Sequence, residues 1–327
     1  MSKVLLSGMR PTGPMHLGHL LGALTNWKSL QDKYNCFFMV ADWHALMSEY
    51  ENPVSIKEYI YEMVADWLAV GIDPKKSTIF IQSDVKEHLE LAAVLSNIVP
   101  LPWLERCPTY KEQLREIKGR DLTTYGFLGY PVLQAADILV YKASVVPIGV
   151  DQMPHLELTR EILRKFNNLY KEEVFPEPEA LLTEVPRLLG IDNRKMSKSY
   201  KNFIALGDSD EVILKKVTSM ITDPKRVKLT DEGHPDICNV FSYYKIFAKD
   251  KVGEAEDWCK NAKLGCKDCK KLLAERIIEY IKPYRDKREK LLNNRDHLET
   301  ILKEGKKKAS LVTSSLMSQV YKVMGLK

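Results

Sequence analysis

The first third of the chain alternates short apolar runs with stretches of helical periodicity. Three runs, at residues 4–6, 36–42 and 78–83, lack the apolar–polar alternation of a half-exposed strand. Their branched and aromatic content is typical of parallel strands covered on both faces. Helical patterns lie between them, over about residues 18–33 and 55–70. This order predicts an α/β fold, a Rossmann-like doubly wound parallel sheet with its site beyond the carboxyl ends of the strands.

The remainder of the chain is predicted to be mostly helical. Residues 84–130 have helical patterns, Tyr130-Pro131 is expected to open a helix that runs to Tyr141, and residues 145–149 form a further short strand. From Glu211 onward we find amphipathic helical patterns and no strand pattern. We therefore predict a catalytic domain at 1–205, with a helical connecting segment at about 84–145, and an all-helical domain at 206–327.

Composition and charge exclude a few classes of protein. Apolar residues make up 45% of the 327 residues and charged residues 28%, as in ordinary globular proteins. No apolar run is long enough to cross a bilayer, and the apolar part of the first seven residues is too short for a secretory signal. We expect a cytoplasmic protein without a membrane partner. The net charge of +5 and the basic stretches at 282–288 and 306–308 fit either a solvated helix face or a nucleic-acid footprint.

Two short segments nearly 180 residues apart carry the candidate chemistry. Residues 16–19, His-Leu-Gly-His, follow the first predicted strand and precede a helix. Backbone N–H groups at such a turn can hold a phosphate chain, and Gly18 leaves room for a ligand between the donors His16 and His19. Residues 195–199, Lys-Met-Ser-Lys-Ser, place two ammonium groups where they could follow charge developing on a triphosphate. Taken alone, the first segment also fits a helix cap and the second a solvated loop.

A third segment bears on the substrate. If residues 130–139 are helical, Tyr130, Gln134 and Asp137 lie near one face. A carboxylate in an apolar pocket is costly unless it accepts a hydrogen bond. An indole N–H is a donor only and therefore suits Asp137, although this residue could instead be a satisfied polar group that joins two elements.

Four of the six cysteines cluster late in the chain, at Cys238, Cys259, Cys266 and Cys269. A cytoplasmic compartment argues against disulfides. Four thiolates suit tetrahedral Zn²⁺ or a [4Fe–4S] cluster, although zinc sites more often show two close pairs than one. Four free thiols are the third alternative. Cys36 and Cys107 are expected to be packing residues.

Together, and in this order, the segments 16–19 and 195–199 resemble the two signatures of class I aminoacyl-tRNA synthetases. Residues 135–139 (Ala-Ala-Asp-Ile-Leu), 149–152 (Gly-Val-Asp-Gln) and 155–160 (His-Leu-Glu-Leu-Thr-Arg) are similar to those of the tryptophanyl-tRNA synthetase family. The tyrosyl enzymes usually carry a bulkier residue before this Asp. A nucleotidylyltransferase would not need the long helical region, and a non-enzymatic paralogue would be expected to lack a signature residue.

The resemblance implies roles for individual residues. The reaction would be that of a tryptophan–tRNA ligase, with His16, His19, Lys195 and Lys198 acting on the phosphates. Asp137 would bind the indole N–H, and Tyr130 and Gln152 the α-amino group. Residues around ATP would be Arg10, Pro11, Thr12, Gly18, His19, Lys111, Gly149, Val150, Asp151, Lys195, Met196, Ser197, Lys198 and Ser199. Gln134 and Leu6 would also contact the bound tryptophan. The family commonly differs at Leu6, Gln134 and Val150, and these departures would alter the pocket wall.

The resemblance also implies partners and cofactors. It implies ATP with Mg²⁺, L-tryptophan, tRNA(Trp) bound through an anticodon-binding helical domain, and a homodimer. A subset of the family carries an iron–sulfur cluster on a similar cysteine pattern, with a first gap that is typically a little longer. This favours [4Fe–4S] at the four cysteines, with Zn²⁺ as the alternative.

Overall fold

The computed structural model describes residues 3–116, 121–182, 188–198 and 200–326. Contacts divide the chain into two compact units. The sheet unit comprises Met1–Gly13, Ala23–Val185 and Leu291–Lys327, and the helical unit comprises Pro14–Gly22 and Pro186–Lys290. This division differs in three segments from the single predicted boundary near residue 205. Residues 14–22 and 186–205 belong to the helical unit, and residues 291–327 belong to the sheet unit.

The sheet unit contains a parallel sheet. Among the described residues its strands are β1 (Val4–Met9), β2 (Asn35–Val40), β3 (Ser77–Ile81), β4 (Val145–Ile148) and β5 (Glu179–Leu182), in the order β3-β2-β1-β4-β5. The central strand β1 pairs on both sides, with Leu5 opposite Cys36 in β2 and opposite Val145 in β4. Both faces of β2 and β3 are buried, which explains why their sequences do not alternate. The predicted fold class, a Rossmann-like parallel sheet with helices, is confirmed.

Strand β5 is absent from the sequence prediction. It pairs with β4 at the edge of the sheet, with Ala180 opposite Val146. Its sequence, Glu-Ala-Leu-Leu, has no β-branched or aromatic residue and is half-buried or exposed. Strand propensity is weak in such a segment, and only the free edge of β4 specifies the pairing.

Helices cover the sheet unit. They are α2 (Thr25–Leu30), α3 (Asp42–Glu49), α4 (Ile56–Val70), α5 (Glu87–Ser96), α6 (Leu101–Glu105), α7 (Pro108–Glu116), α8 (Tyr125–Leu139), α9 (Met153–Tyr170) and α14 (Arg295–Met324). Helix α4 ends where the sequence predicts, at Gly71, whose φ of 111° is left-handed. Helix α8 begins before the predicted Tyr130, because Thr124 caps it by accepting a bond from the Phe127 N–H at 3.2 Å. Pro131 therefore lies inside the helix.

The long helix α14 packs on β3 although the two are far apart in sequence. Its Gly305 lies so close to the strand that an added Cβ would be 1.7 Å from the Ile79 carbonyl oxygen. Only glycine permits this approach of helix to strand backbone. The helix also contacts α5, where Tyr321 donates to Glu90 at 3.0 Å.

The helical unit contains α1 (Leu17–His19), α10 (Asp210–Thr218), α11 (Asn239–Phe247), α12 (Val252–Lys260) and α13 (Cys266–Leu292), which continues past the end of the unit at Lys290. A π-helical segment, Leu20–Leu24, joins α1 to α2, so the predicted helix at 18–33 is one continuous helical run. No helix in the described part of the chain is long and apolar enough to span a membrane.

Candidate active site

Asp137 lies on α8 with only 2% of its surface exposed, and it accepts three side-chain hydrogen bonds. Gln82 Nε2 and His88 Nδ1 lie 2.8 and 2.6 Å from Oδ1, and His44 Nε2 lies 2.7 Å from Oδ2. Burial by itself raises the pKa of Asp137, but the His44 and His88 rings outweigh it and hold that pKa at about 2. The carboxyl group is therefore ionised and can only accept hydrogen bonds.

Sequence analysis did not identify the three donors to Asp137. Gln82 directly follows β3, His44 lies on α3 just after β2, and His88 lies on α5. The first two stand at the carboxyl ends of neighbouring parallel strands, which is where sites form in such sheets, and this position could have identified them. No sequence pattern indicates that α5 and α8 bring His88 to the same carboxylate.

Tyr130 lies two turns before Asp137 on α8, as predicted. Its hydroxyl is 3.3 Å from Thr109 Oγ1 and 3.2 Å from His155 Nε2, and Thr109 Oγ1 is 2.6 Å from the same nitrogen. Cys107 Sγ lies 3.6 Å from His155 Nδ1. Burial raises the pKa of Tyr130 and lowers the pKa of His155 to about 4, so both side chains are neutral.

The other predicted tryptophan residues lie in the same unit. Leu6 is buried in the central strand β1, Gln134 is half-buried on α8, and Gln152 is half-buried at the end of the 3-10 turn Val150–Gln152. Gln152 Nε2 lies 3.3 Å from Asp151 Oδ2.

The predicted ATP residues of the sheet unit flank strand ends. Arg10, Pro11 and Thr12 directly follow β1, and Gly149, Val150 and Asp151 follow β4. A Cβ at Gly149 would lie 2.5 Å from Asp151 Oδ1, so a larger residue there would displace the Asp151 carboxylate. The Val150 side chain is 74% exposed, and Lys111 is exposed on α7.

The helical unit brings together the two signature segments that are far apart in sequence. The Leu17 N–H donates to the Ile204 carbonyl at 3.1 Å, and the Leu206 N–H donates to the Met15 carbonyl at 2.9 Å. A Cβ at Gly18 would lie 3.0 Å from the His16 ring and 3.5 Å from Met196 Sδ. Gly18 therefore lies against a residue of each segment, and any larger residue would crowd them.

The rings of the two signature histidines lie in contact, with centroids 3.7 Å apart and planes inclined by 40°. The His16 backbone N–H donates to His19 Nδ1 at 3.2 Å. Burial and then the Lys198 ammonium group lower the pKa of His16 to about 3, and burial, His16 and Lys198 lower that of His19 well below its ordinary value. Both rings are neutral. Because Nδ1 of His19 accepts, its proton lies on Nε2, which is a donor.

Asn202 holds the lysine segment in place and was not identified from the sequence. Its buried amide accepts from the Ser197 N–H at 2.8 Å and donates to Asp192 Oδ1 at 2.7 Å and to the Lys195 carbonyl at 3.1 Å. Lys195 is exposed, whereas Lys198 is half-buried. The predicted residue Ser199 lies outside the described residues.

The four clustered cysteines all belong to the helical unit. Cys238 precedes α11, Cys259 lies near the end of α12, and Cys266 and Cys269 begin α13. Burial and then the other three thiols raise the pKa of Cys269 to about 11.

These cysteines do not form a metal site as they stand. Among the residues that the structure describes, no three His, Cys, Asp or Glu side chains are arranged to hold a metal ion. The thiols pack against protein instead, because Cys269 Sγ lies 3.8 Å from the Tyr244 hydroxyl and a Cβ at Gly233 would be 2.3 Å from Cys259 Sγ. The metal site predicted at Cys238, Cys259, Cys266 and Cys269 thus has no support from this geometry.

Comparison with known proteins identifies the family. The model of the family described as tRNA synthetases class I (W and Y) matches residues 2–282. A tryptophan–tRNA ligase of Thermotoga maritima is 50% identical over 98% of this chain and 99% of its own length. The chain belongs to the tryptophan–tRNA ligases. A second such ligase, from Aquifex aeolicus, is 41% identical over 98% of this chain and 99% of its own length.

Solved structures agree with this membership. Tryptophanyl-tRNA synthetase from Campylobacter jejuni, in complex with ADP and tryptophan, is 35% identical and superposes with a TM-score of 0.91 over 99% of this chain and 100% of that one. A tyrosyl-tRNA synthetase of Archaeoglobus fulgidus, at 19% identity and a TM-score of 0.66 over 88% of this chain and 90% of that one, shows likeness of fold alone. The predicted family, enzyme class and function of a tryptophan–tRNA ligase are confirmed. The assignment to an iron–sulfur subset is not supported by these matches.

The neutral state of His155 makes the free energy of unfolding of this ligase depend on pH. The pKa of His155 is about 4 in the folded protein against an ordinary 6.5, so below pH 6.5 the unfolded chain binds more protons and stability falls. Between pH 7 and pH 5 we expect this side chain alone to remove about 2 kcal/mol. Urea unfolding at the two pH values measures the loss. In His155→Gln the loss of stability between pH 7 and pH 5 should be smaller by this amount. An unchanged loss in that variant would contradict the assignment of a neutral His155.

Proposed function

We propose that the ligase reaction uses the residues described above in two steps. ATP first activates L-tryptophan to tryptophanyl-adenylate with release of pyrophosphate. The adenylate then passes its acyl group to the terminal ribose of tRNA(Trp), with release of AMP. No side-chain nucleophile is needed, because the tryptophan carboxylate attacks the α-phosphorus. Catalysis then consists of positioning and charge stabilisation.

The buried, ionised carboxylate of Asp137 is the observation that carries the proposed substrate role. It accepts from Gln82, His88 and His44, and among the described residues Oδ2 has only the His44 bond. A carboxylate oxygen has two lone-pair directions, so Oδ2 retains one for an indole N–H. In this proposal Tyr130 and Gln152 hold the α-amino group, and Leu6 and Gln134 form the pocket wall.

In the helical unit we assign the phosphates of ATP to the signature residues. The neutral His19 offers Nε2–H, and the buried His16 Nδ1 has no hydrogen-bond partner among the described residues. Lys195 and Lys198 follow the leaving pyrophosphate, and Gly18, Met196 and Ser197 complete this part, with Ser199 assigned from sequence alone. In the sheet unit the assigned ATP residues are Arg10, Pro11, Thr12, Lys111, Gly149, Val150 and Asp151. ATP brings Mg²⁺ with it.

Two substitutions should separate the residue assigned to tryptophan binding from a residue assigned to the phosphates of ATP. Asp137→Ala should lose most selectivity for tryptophan, on the order of several kcal/mol of transition-state binding, because no acceptor remains for the indole N–H. Lys195→Ala should lower kcat on the order of 100-fold with little change in KM for tryptophan, because its contacts strengthen as pyrophosphate leaves. Both effects are measured by amino-acid-dependent pyrophosphate exchange.

Lys215→Ala is the matched control, since Lys215 is an exposed lysine of α10 in the same unit as Lys195. It should leave both parameters unchanged. Activation of tyrosine in preference to tryptophan by the wild type would contradict the role of Asp137. Weaker tryptophan binding at an unchanged rate would remove Lys195 from its role.

We propose that the predicted helical domain binds the anticodon region of tRNA(Trp), and that the protein works in the cytoplasm, where translation takes place. The supporting feature is a series of lysines on α12, α13 and the turn between them: Lys260, Lys263, Lys267, Lys270 and Lys271. Several pair with acids, such as Lys260 with Glu256 at 2.6 Å and Lys263 with Asp257 at 2.7 Å. Such exposed pairs contribute little stability, so RNA phosphates can replace the carboxylates.

For the four cysteines we propose a [4Fe–4S] cluster that organises α12, α13 and the turn between them. Its support is the chemistry of four thiols and their common location in the helical unit. Binding requires the side chains to leave their present packing and lose their protons. Zn²⁺ at the same residues is the alternative.

Metal analysis tests this proposal directly. Protein purified without oxygen should be brown and hold about four irons per chain. Cys266→Ser should lose the iron and reduce tRNA aminoacylation while leaving pyrophosphate exchange nearly intact, because the cluster serves tRNA binding. Cys36→Ala, in β2, should keep its iron. Zinc in place of iron would refute the iron–sulfur cluster, and absence of both metals would refute the metal site. Equal loss of tRNA aminoacylation and pyrophosphate exchange in Cys266→Ser would refute the proposal that the cluster serves tRNA binding alone.

We also propose that the ligase is a homodimer that associates through the sheet unit. A groove of about 1080 Å³ there is lined by the apolar side chains of Trp103, Leu158 and Leu169. Both acidic and basic residues line it, among them Glu157, Glu161, Arg106 and Arg164. Such mixed charge suits a twofold interface, in which the same patch meets itself.

Sedimentation velocity at micromolar concentration should give a dimer with an interface of roughly 2,000 Å² or more. Leu169→Glu should produce monomers, because it places an unpaired charge in the apolar part of the groove. The control Leu311→Glu, at an exposed position of α14, should remain dimeric. A monomeric wild type would refute the proposed dimer, and a dimeric Leu169→Glu would refute this surface.

A further inference from the structure

His88 is fully buried behind Asp137, and both of its ring nitrogens have partners. Nδ1 lies 2.6 Å from Asp137 Oδ1, and Nε2 lies 2.9 Å from the hydroxyl of Tyr141. Tyr141 is itself 1% exposed. The Phe80 ring stacks on His88, with centroids 6.0 Å apart and the planes inclined by 29°. His88 is therefore fixed by two hydrogen bonds and an aromatic contact.

The chemistry of the partners sets the direction of both hydrogen bonds. The carboxylate of Asp137 can only accept, so the proton lies on His88 Nδ1. Burial and the charge of Asp137 raise the pKa of Tyr141 well above its ordinary value, so the phenol keeps its proton. Nε2 of His88 then accepts the hydrogen bond from the Tyr141 hydroxyl. Tyr141 thus donates to His88, and His88 donates to Asp137.

This chain of bonds determines which oxygen of Asp137 can meet a substrate. Gln82 and His88 occupy the two lone-pair directions of Oδ1. Among the described residues Oδ2 has one partner, His44, whose side chain is partly exposed, whereas that of His88 is not exposed at all. Without the His88 bond the carboxylate could turn about its Cβ–Cγ bond and present either oxygen.

We propose that His88, supported by Tyr141, is a positioning residue that fixes the orientation of the Asp137 carboxylate and so determines selectivity for an amino acid whose ring carries an N–H donor. This inference rests on the proposed role of Asp137. His88 does not touch the substrate. It acts on Oδ1 of the carboxylate, whereas the half-buried His44 bonds Oδ2.

The test compares tryptophan with its benzothiophene analogue, in which sulfur replaces the ring N–H at nearly the same size. Pyrophosphate exchange gives kcat and KM for both substrates in the wild type and in Tyr141→Phe, His88→Phe and His88→Asn. The asparagine amide can supply an N–H near the position of Nδ1, so it is the conservative variant. Tyr61→Phe is the matched control, since its hydroxyl bonds Glu299 in the same unit, away from Asp137.

The wild type should prefer tryptophan over the analogue by a factor on the order of 10⁴, as sites built to bind an N–H or O–H group do. Tyr141→Phe should lower this preference about 10-fold and His88→Phe about 100-fold, since each leaves a buried polar group without its partner. The change should lie in KM for tryptophan, with kcat and KM for ATP nearly unchanged. His88→Asn should restore most of the preference, and Tyr61→Phe should match the wild type.

Each other outcome overturns a specific statement. Equal losses for both substrates in Tyr141→Phe and His88→Phe would show a packing role and overturn the inference, as would unchanged selectivity in both variants. Failure of His88→Asn to restore the preference that His88→Phe loses would also overturn it. A wild type that activates tryptophan and the analogue equally would instead refute the proposed role of Asp137.

Discussion

The buried negative charge of Asp137 is the constraint on which the arrangement of the sheet unit depends. An ionised carboxylate inside a protein is unfavourable unless it is fully hydrogen-bonded. Its donors come from three separate places in the chain, after β3, on α3 and on α5, while the carboxylate itself is on α8. The order of the parallel strands, which sets β2 beside β3, brings two of these donors together. Any change in strand register would separate them from the acceptor.

A different principle organises the helical unit, where backbone pairing takes the place of a buried charge. Residues 15–17 and 204–206 exchange main-chain hydrogen bonds, and the amide of Asn202 holds the lysine segment by its backbone. The backbone that carries the histidine and lysine side chains is therefore fixed by these bonds. Preorganised groups of this kind can stabilise developing charge without reorganisation at the moment of reaction.

Much of this fold and site follows from local patterns in the sequence, and the remainder depends on distant contacts. The three non-alternating runs predict β1 to β3, and the short apolar stretch at 145–149 predicts β4. The two signature segments predict residues that do meet, such as Gly18 and Met196. Strand β5 has no strand-like composition and exists through its neighbour β4. Thr124 as a helix cap overrides the expectation that Pro131 opens α8. His44 and Gln82 carry only the positional signal of following β2 and β3. His88 and Asn202 have no motif, because their roles appear only when remote elements pack together.

The fit of α14 against β3 has a consequence for the biosynthesis of this enzyme. The strand is synthesised before Gly305, which lies against its Ile79 carbonyl. The same helix contacts α5, the element that carries His88. On the ribosome, a nascent chain that already holds both signature segments therefore still lacks the helix that packs against β3 and α5. The sheet unit is completed only after these segments have been synthesised, so folding of the unit depends on a contact between residues that are distant in sequence.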